Sequence, residues 1–174
     1  LDAASAADFH VYAEVRADGE SGLAFNITDS GYGFAAVIVP KNEFRAPGKA
    51  RGTEQDAALA AAAKHDGPVY MRGLRGLVDQ IFDPKDFEFR IGQANLLRHG
   101  TDGLIVGTGL GTSWALDAQN ELARQGMNFS VLHVPTLKPI DVSAILAMAS
   151  RHRTIFTVEN HSTIGGLASA VSEV

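Results

Sequence analysis

Gly103-Leu104-Ile105-Val106-Gly107, Phe129-Ser130-Val131-Leu132-His133-Val134 and Thr154-Ile155-Phe156-Thr157-Val158-Glu159 are three short apolar runs rich in β-branched residues. Two stretches of helical periodicity separate them, one from Thr112 to Gln125 and one opened by Lys138-Pro139-Ile140-Asp141. Strands alternating with amphipathic helices build a parallel sheet covered by helices, because each helix carries the chain back to the end where the next strand starts. The run from Phe89 onward therefore predicts an α/β fold, a three-layer sandwich with a mostly parallel sheet.

In the first helical stretch Trp114, Ala118 and Leu122 recur every four residues, while Asp117, Asn120, Glu121 and Arg124 take other faces. This predicts a buried stripe through Trp114, Ala118 and Leu122. Gly126 is a natural helix stop. Asp141 sits where an N-cap belongs, and Val142, Ile145, Leu146 and Ala149 form the second predicted stripe. Arg151, His152 and Arg153 fall at that helix's end, where cations suit the carbonyl dipole, and read as a solvated basic terminus.

Toward the N-terminus the pattern is looser. Phe9 to Val15 and Phe34 to Val39 read as strands, with turn residues Asn26, Asp29, Gly31 and Gly33 between them. Lys41 to Gly52 reads as an exposed loop. Thr53 looks like an N-cap, with Asp56 three residues on, for an alanine-rich helix reaching about Lys64. Gly67-Pro68 ends it, and Val69-Tyr70-Met71 is a short strand. Phe82 to Phe87, with Asp83-Pro84 and Lys85-Asp86, has the composition of a linker. The expected division is a partial α/β segment over residues 1–86 and a second domain over 87–174.

The bulk numbers exclude several classes. The chain has 174 residues, 45% hydrophobic and 20% charged, long enough to bury a core. A net charge of -5 offers no basic surface for nucleic acid. No apolar run approaches the ~20 residues of a membrane helix. Without cysteine there is no disulfide, thiolate zinc site or cysteine nucleophile. Cytoplasmic location is the expectation. The start at Leu1, with no signal-peptide pattern up to Phe9, reads as a fragment.

Four groups of residues are candidates for chemistry. Arg72 and Arg75 follow the short strand after Gly67-Pro68, and guanidinium forks match two phosphate oxygens with two parallel N–H donors. Their structural alternative is ion pairing with Asp79, Asp83 and Asp86. Gly107-Thr108-Gly109-Leu110-Gly111 joins a strand to a helix, where backbone N–H groups can cradle phosphate. The dinucleotide fingerprint, however, wants glycine at position 112, which is Thr, and an acidic residue ending the next strand, which ends at His133-Val134-Pro135. A tight helix–sheet turn is the favoured reading there. Glu159, Asn160 and His161 end a strand just before Gly165-Gly166, where a carboxylate and an imidazole suit acid–base work or a metal, although one His and one Glu are few for a metal site. The glycine pair permits close approach at the start of the last helix. His10, His65, His99 and His133 are scattered with no partner at metal-ligand spacing, so no metal site is expected.

These pieces together resemble the C-terminal part of transketolase-like, thiamine-diphosphate-dependent enzymes, partial pyrimidine-binding domain and C-terminal domain in series. The resemblance rests on the run Gly67 to Gly76, Ile91-Gly92-Gln93-Ala94, the segment Leu96 to Asp102 and Gly107-Thr108-Gly109. It continues through Lys138-Pro139-Ile140-Asp141 and Val158-Glu159-Asn160-His161 with Gly165-Gly166-Leu167, in the family's order over residues 66–174. It implies a transferase moving a two-carbon ketol unit between sugar phosphates, with thiamine diphosphate and magnesium supplying that chemistry. In the family the arginine seven residues after the motif's proline contacts the substrate phosphate; Arg75 holds that position, and Arg72 is second choice. The family segment at Glu159, His161, Gly165 and Gly166 shapes the C-terminal domain and subunit contacts.

The cofactor motif, Gly-Asp-Gly followed by Asn, does not occur in this sequence, and Glu14 lacks the surroundings of the family's glutamate. No catalytic residue is therefore assigned. The resemblance implies an enzyme inactive alone, completed by a homodimer or an N-terminal transketolase-type subunit that binds the cofactor. Transketolase, deoxyxylulose phosphate synthase and dehydrogenase beta subunits remain alternatives within the family. A non-catalytic assembly or regulatory domain, and a nucleotide-binding oxidoreductase domain on the Gly107 turn, remain alternatives outside it.

Overall fold

Leu104, Val106, Leu132 and Val134 face one side of a four-stranded sheet, and Ile105, Phe129 and Val131 face the other. Strand alternation makes this division, because successive side chains leave a strand on opposite faces. The computed structural model describes residues 9–11, 23–27, 32–37, 54–74, 80–83, 87–162 and 164–174. The chain divides into two units, Leu1–Phe89 and Arg90–Val174.

The first unit holds β1 (Phe9–Val11), β2 (Leu23–Ile27), β3 (Tyr32–Val37), α1 (Glu54–Lys64) and β4 (Val69–Leu74). Its strands pair in sequence order, each antiparallel to the next. Two expectations are corrected. Asn26 and Gly33, expected in turns, lie in β2 and β3, where they form part of one ladder. β4 runs on to Leu74, so Arg72 sits within the strand, paired in register with Phe34, rather than beyond its end. Strand pairing overrides the local turn preference of polar and glycine residues, which is why composition alone misplaces them. The Lys41 to Gly52 loop, the Thr53 cap, Arg75, Asp79 and Asp86 lie outside the described residues.

The second unit contains β5 (Asn95–Arg98), β6 (Gly103–Gly107), α2 (Leu110–Arg124), β7 (Phe129–His133), α3 (Val142–Ala149), β8 (Ile155–Val158) and α4 (Leu167–Ser172). The sheet order is β5-β7-β6-β8; β6 is parallel to both β7 and β8, and β5 alone is antiparallel. α2 packs with Ile105, Phe129 and Val131 through Ala115, Leu116 and Leu122. α3 and α4 pack on the opposite face through Ile145, Met148 and Leu167. The result is the three-layer α/β sandwich that the periodicity predicts. Each fully buried Leu or Val there stabilises by about 1.5–3 kcal/mol.

The helices are rotated from their predicted phase. Trp114 is 46% exposed and Ala118 is exposed, whereas Gly111, Thr112, Ser113, Ala115 and Gln119 are buried. Small residues win this face because α2 lies too close to the strands for a bulky ring. In α3 the stripe shifts likewise: Ile145 and Met148 are buried, but Val142 and Leu146 are 46% and 50% exposed. Asp141 does cap α3, accepting from the Ala144 N–H at 2.9 Å. Its second oxygen accepts from the Ala94 N–H at 2.9 Å and ties the start of the unit to that helix. The neighbouring Lys138-Pro139 peptide is cis.

His152 corrects the reading of a solvated basic terminus, since only the flanking Arg151 and Arg153 are exposed. His152 is buried at 8% exposure, with Nδ1 2.8 Å from the Met148 carbonyl oxygen and Nε2 3.1 Å from Ser130 Oγ. Ser130 Oγ also accepts from the Gly100 N–H at 2.9 Å. The Thr101 and Asp102 N–H groups both donate to the Asn128 carbonyl at 2.9 Å. The segment Leu96 to Asp102 thus earns its residues as a clamp: its turn is hydrogen-bonded into the entry of β7.

Candidate functional site

β6 is followed by a loop to α2 on one face, and β8 by a loop to α4 on the other. In open α/β sheets such divergence at the C-terminal ends of neighbouring parallel strands opens a crevice for ligands. Two candidate segments meet there, Gly107 to Gly111 after β6 and Glu159 to His161 after β8. The Thr108 N–H donates to the Val158 carbonyl at 3.3 Å, and the Val134 N–H donates to Gly107 at 2.8 Å, so the turn is stitched to both neighbouring strands.

The turn is tight rather than open. A Cβ on Gly111 would overlap the Val158 carbonyl oxygen, and one on Gly107 would lie 2.8 Å from Thr112 Cα. Thr112, at the position where the dinucleotide fingerprint has glycine, is fully buried, and its Oγ1 is 2.7 Å from His133 Nδ1. His133 is fully buried too. Sequence reasoning set His133 aside as scattered; the available signal was a Thr and a His at two positions where a dinucleotide fold needs glycine and an acid. Thr112→Val should lower stability by about 1–3 kcal/mol, because it leaves a buried imidazole nitrogen without this partner, whereas Thr112→Ser should retain most of it. Urea titration of the two variants checks this. Valine keeps the methyl group and loses only the hydroxyl, so a Thr112→Val variant as stable as the parent would mean that the bond to His133 contributes nothing.

Glu159 has a defined task. Its Oε2 accepts from the Leu167 N–H at 2.8 Å and its Oε1 from the Ala168 N–H at 3.0 Å, so the carboxylate caps α4 from eight residues away. Gly166, at the N-cap, has no side chain to do so, and a Cβ there would overlap that carboxylate. Gly165, at φ 75, donates its N–H to Ser169 Oγ at 2.9 Å. Asn160 is half-buried and His161 exposed. The structure thus joins Glu159, Gly165 and Gly166 in one helix start and leaves His161 on its rim. Among the described residues no three His, Asp or Glu side chains gather as a metal ion would require.

Arg72 belongs to the other unit. It lies half-buried in β4, two residues from Tyr70, which is 62% exposed. Partial burial pushes the Tyr70 phenol up from its ordinary value, and the Arg72 guanidinium pulls it back down. β4 is antiparallel to β3, so the rule for ligands at the ends of parallel strands does not apply to Arg72.

A three-layer α/β domain with sheet order β5-β7-β6-β8, one antiparallel edge and a glycine-bound turn after its central parallel strand defines the class. Residues 92–174 match the family model for the transketolase C-terminal domain, and this part of the chain belongs to that family. The chain is 47% identical over 121 residues to a transketolase family protein of Sinorhizobium fredii, covering 69% of this chain and 35% of that protein. It is 46% identical over 117 residues to the 6-deoxy-6-sulfo-D-fructose transketolase subunit of a Clostridium species, covering 67% of this chain and 36% of that one. Among solved structures it is similar to a split-gene transketolase described as an inactive beta4 tetramer. That likeness has 39% identity and a TM-score of 0.64, over 67% of this chain and 38% of the other. The chain thus spans about a third of the length of these two relatives. No helix among the described residues is long and apolar enough to cross a membrane.

Proposed function

We propose that this chain is the C-terminal portion or subunit of a transketolase-type transferase that moves a two-carbon ketol unit between sugar phosphates. The observation that carries the reading is the family match over residues 92–174, flanked upstream by the run Gly67 to Gly76 with its two arginines. Two relatives are named as transketolase subunits, one for a sulfo-sugar and one for apulose 4-phosphate, which fits a chain completed by a second subunit. In that assembly residues 1–86 form the incomplete pyrimidine-domain segment and 87–174 the C-terminal domain. Thiamine diphosphate, with magnesium, would supply the two-carbon carrier chemistry. The sequence has no Gly-Asp-Gly motif followed by Asn, so their binding is assigned to the partner domain or subunit. This chain's own share is to receive the substrate phosphate through Arg75, helped by Arg72, and to provide a contact surface through the segment from Glu159 to Gly166.

The test is reconstitution with a transketolase N-terminal subunit bearing Gly-Asp-Gly and Asn. Ketol transfer should appear only on mixing, and Arg75→Ala should raise KM for phosphorylated sugars by a loss of about 2 kcal/mol while sparing unphosphorylated ones. Equal loss on both substrate types would make Arg75 structural. A chain that shows no transfer with any such subunit would favour a non-catalytic assembly domain.

Self-association follows from the same reading. The beta chains of the split-gene relative form a tetramer by themselves, and two-fold contacts bury the same patch on each copy. Sedimentation at several micromolar concentrations should show a dimer or larger species without enzymatic activity. A concentration-independent monomer that unfolds in one step would count against it.

A further inference from the structure

The unbroken run of β4 from Val69 to Leu74 places Tyr70 and Arg72 at alternate positions, so the pleat sends both to one face and Val69, Met71 and Gly73 to the other. Their Cα atoms are separated by roughly 7 Å along the strand, a span that a phenol and a guanidinium can close on one tetrahedral anion. Tyr70 is 62% exposed while its apolar neighbours in the strand, Val69 and Met71, are half-buried. We propose that the Tyr70 hydroxyl is a further donor to the anionic group received by Arg72 and Arg75, making Tyr70 a specificity-determining residue. This rests on the reading of Arg72 and Arg75 as phosphate-binding. A phenol suits the task because its O–H donates without adding charge, whereas a third cation beside two guanidiniums would be repelled. That Arg72 acts electrostatically on the Tyr70 phenol supports their closeness.

Tyr70→Phe removes the hydroxyl and keeps the ring. In the enzyme reconstituted as above, with ribose phosphate and unphosphorylated ribose as probes, it should raise KM for the phosphorylated acceptor about fivefold, the scale of one neutral hydrogen bond, with kcat unchanged. KM for unphosphorylated ribose should stay the same. Arg72→Gln should raise the phosphorylated KM further. If Arg72→Gln raises it and Tyr70→Phe does not, the inference about Tyr70 is overturned and the phosphate reading stands. If Tyr70→Phe, Arg72→Gln and Arg75→Ala all leave it unchanged, both are overturned. A readout independent of activity is tyrosinate absorbance of this chain during alkaline titration, with Tyr70→Phe subtracted. Inorganic phosphate should delay Tyr70 ionisation, since a bound anion disfavours phenolate beside it. No delay at saturating phosphate would argue against the contact.

Discussion

Gly111→Ala is expected to destabilise the second unit by about 3 kcal/mol, at the upper end of overpacking costs, although alanine favours a helix over glycine by about 1 kcal/mol. The new methyl would overlap the Val158 carbonyl oxygen and approach the Val158 carbonyl carbon at 2.7 Å and Glu159 Cα at 2.9 Å. All three are backbone atoms of the β8 end, so no rotamer change relieves them. α2 must lift from the sheet, which strains the Thr108-to-Val158 hydrogen bond and loosens Ala115, wholly buried one turn on. Gly126→Ala is the control. Nothing lies within 4 Å of its added Cβ, and its penalty comes from φ +82 alone, about 1 kcal/mol. Denaturant midpoints for the two variants give the comparison. If they lose equal stability, helix and strand do not sit as close as described.

The difference between those two glycines shows where the sequence was legible. Gly126 announces itself as a helix stop, because a local backbone preference writes itself into one residue. Gly111 does not, since its need arises from a strand nearly fifty residues away. The same distinction runs through the fold. The apolar runs of β6, β7 and β8 and the Asp141 cap follow from local pattern. The phase of α2 does not: a four-residue recurrence of Trp114, Ala118 and Leu122 looks like a core face, yet the sheet requires small residues and takes Gly111, Thr112 and Ala115. β5 was missed as a strand because Asn95-Leu96-Leu97-Arg98 is short, edge-placed and ends in charge. At the candidate site, Glu159 and the glycine pair stood out as a constellation, but whether its carboxylate served chemistry or architecture depended on where Leu167 and Ala168 turned their N–H groups. Buried pairs such as Thr112 with His133, and Ser130 with His152, join residues about twenty positions apart and carry no periodic signal at all.

Glu159→Ala should therefore cost the chain about 2–3 kcal/mol and do so by releasing α4. Each charge-assisted hydrogen bond contributes about 1.5–3 kcal/mol, and two are lost. Water can reach the two freed N–H groups in this half-buried setting, which offsets part of the sum. α4 is only six residues long and has no other side-chain cap, so it cannot hold itself as an isolated helix. Its anchor into the core is Leu167, fully buried among Leu104, Val106 and Leu132. Once the carboxylate is gone, the first turn frays and Leu167 loses the geometry that buries it. Glu159→Gln separates cap from charge: one amide oxygen still accepts, but the NH2 group faces a second donor, so an intermediate loss is expected. Hydrogen exchange locates the effect, with protection falling first at Leu167 and Ala168 and later, if at all, in β6 and β7. Because the segment after β8 is also the surface proposed to meet a partner, the alanine variant should weaken self-association beyond its effect on folding. An alanine variant as stable and as protected at Leu167 as the parent would return Glu159 to the list of groups available for chemistry.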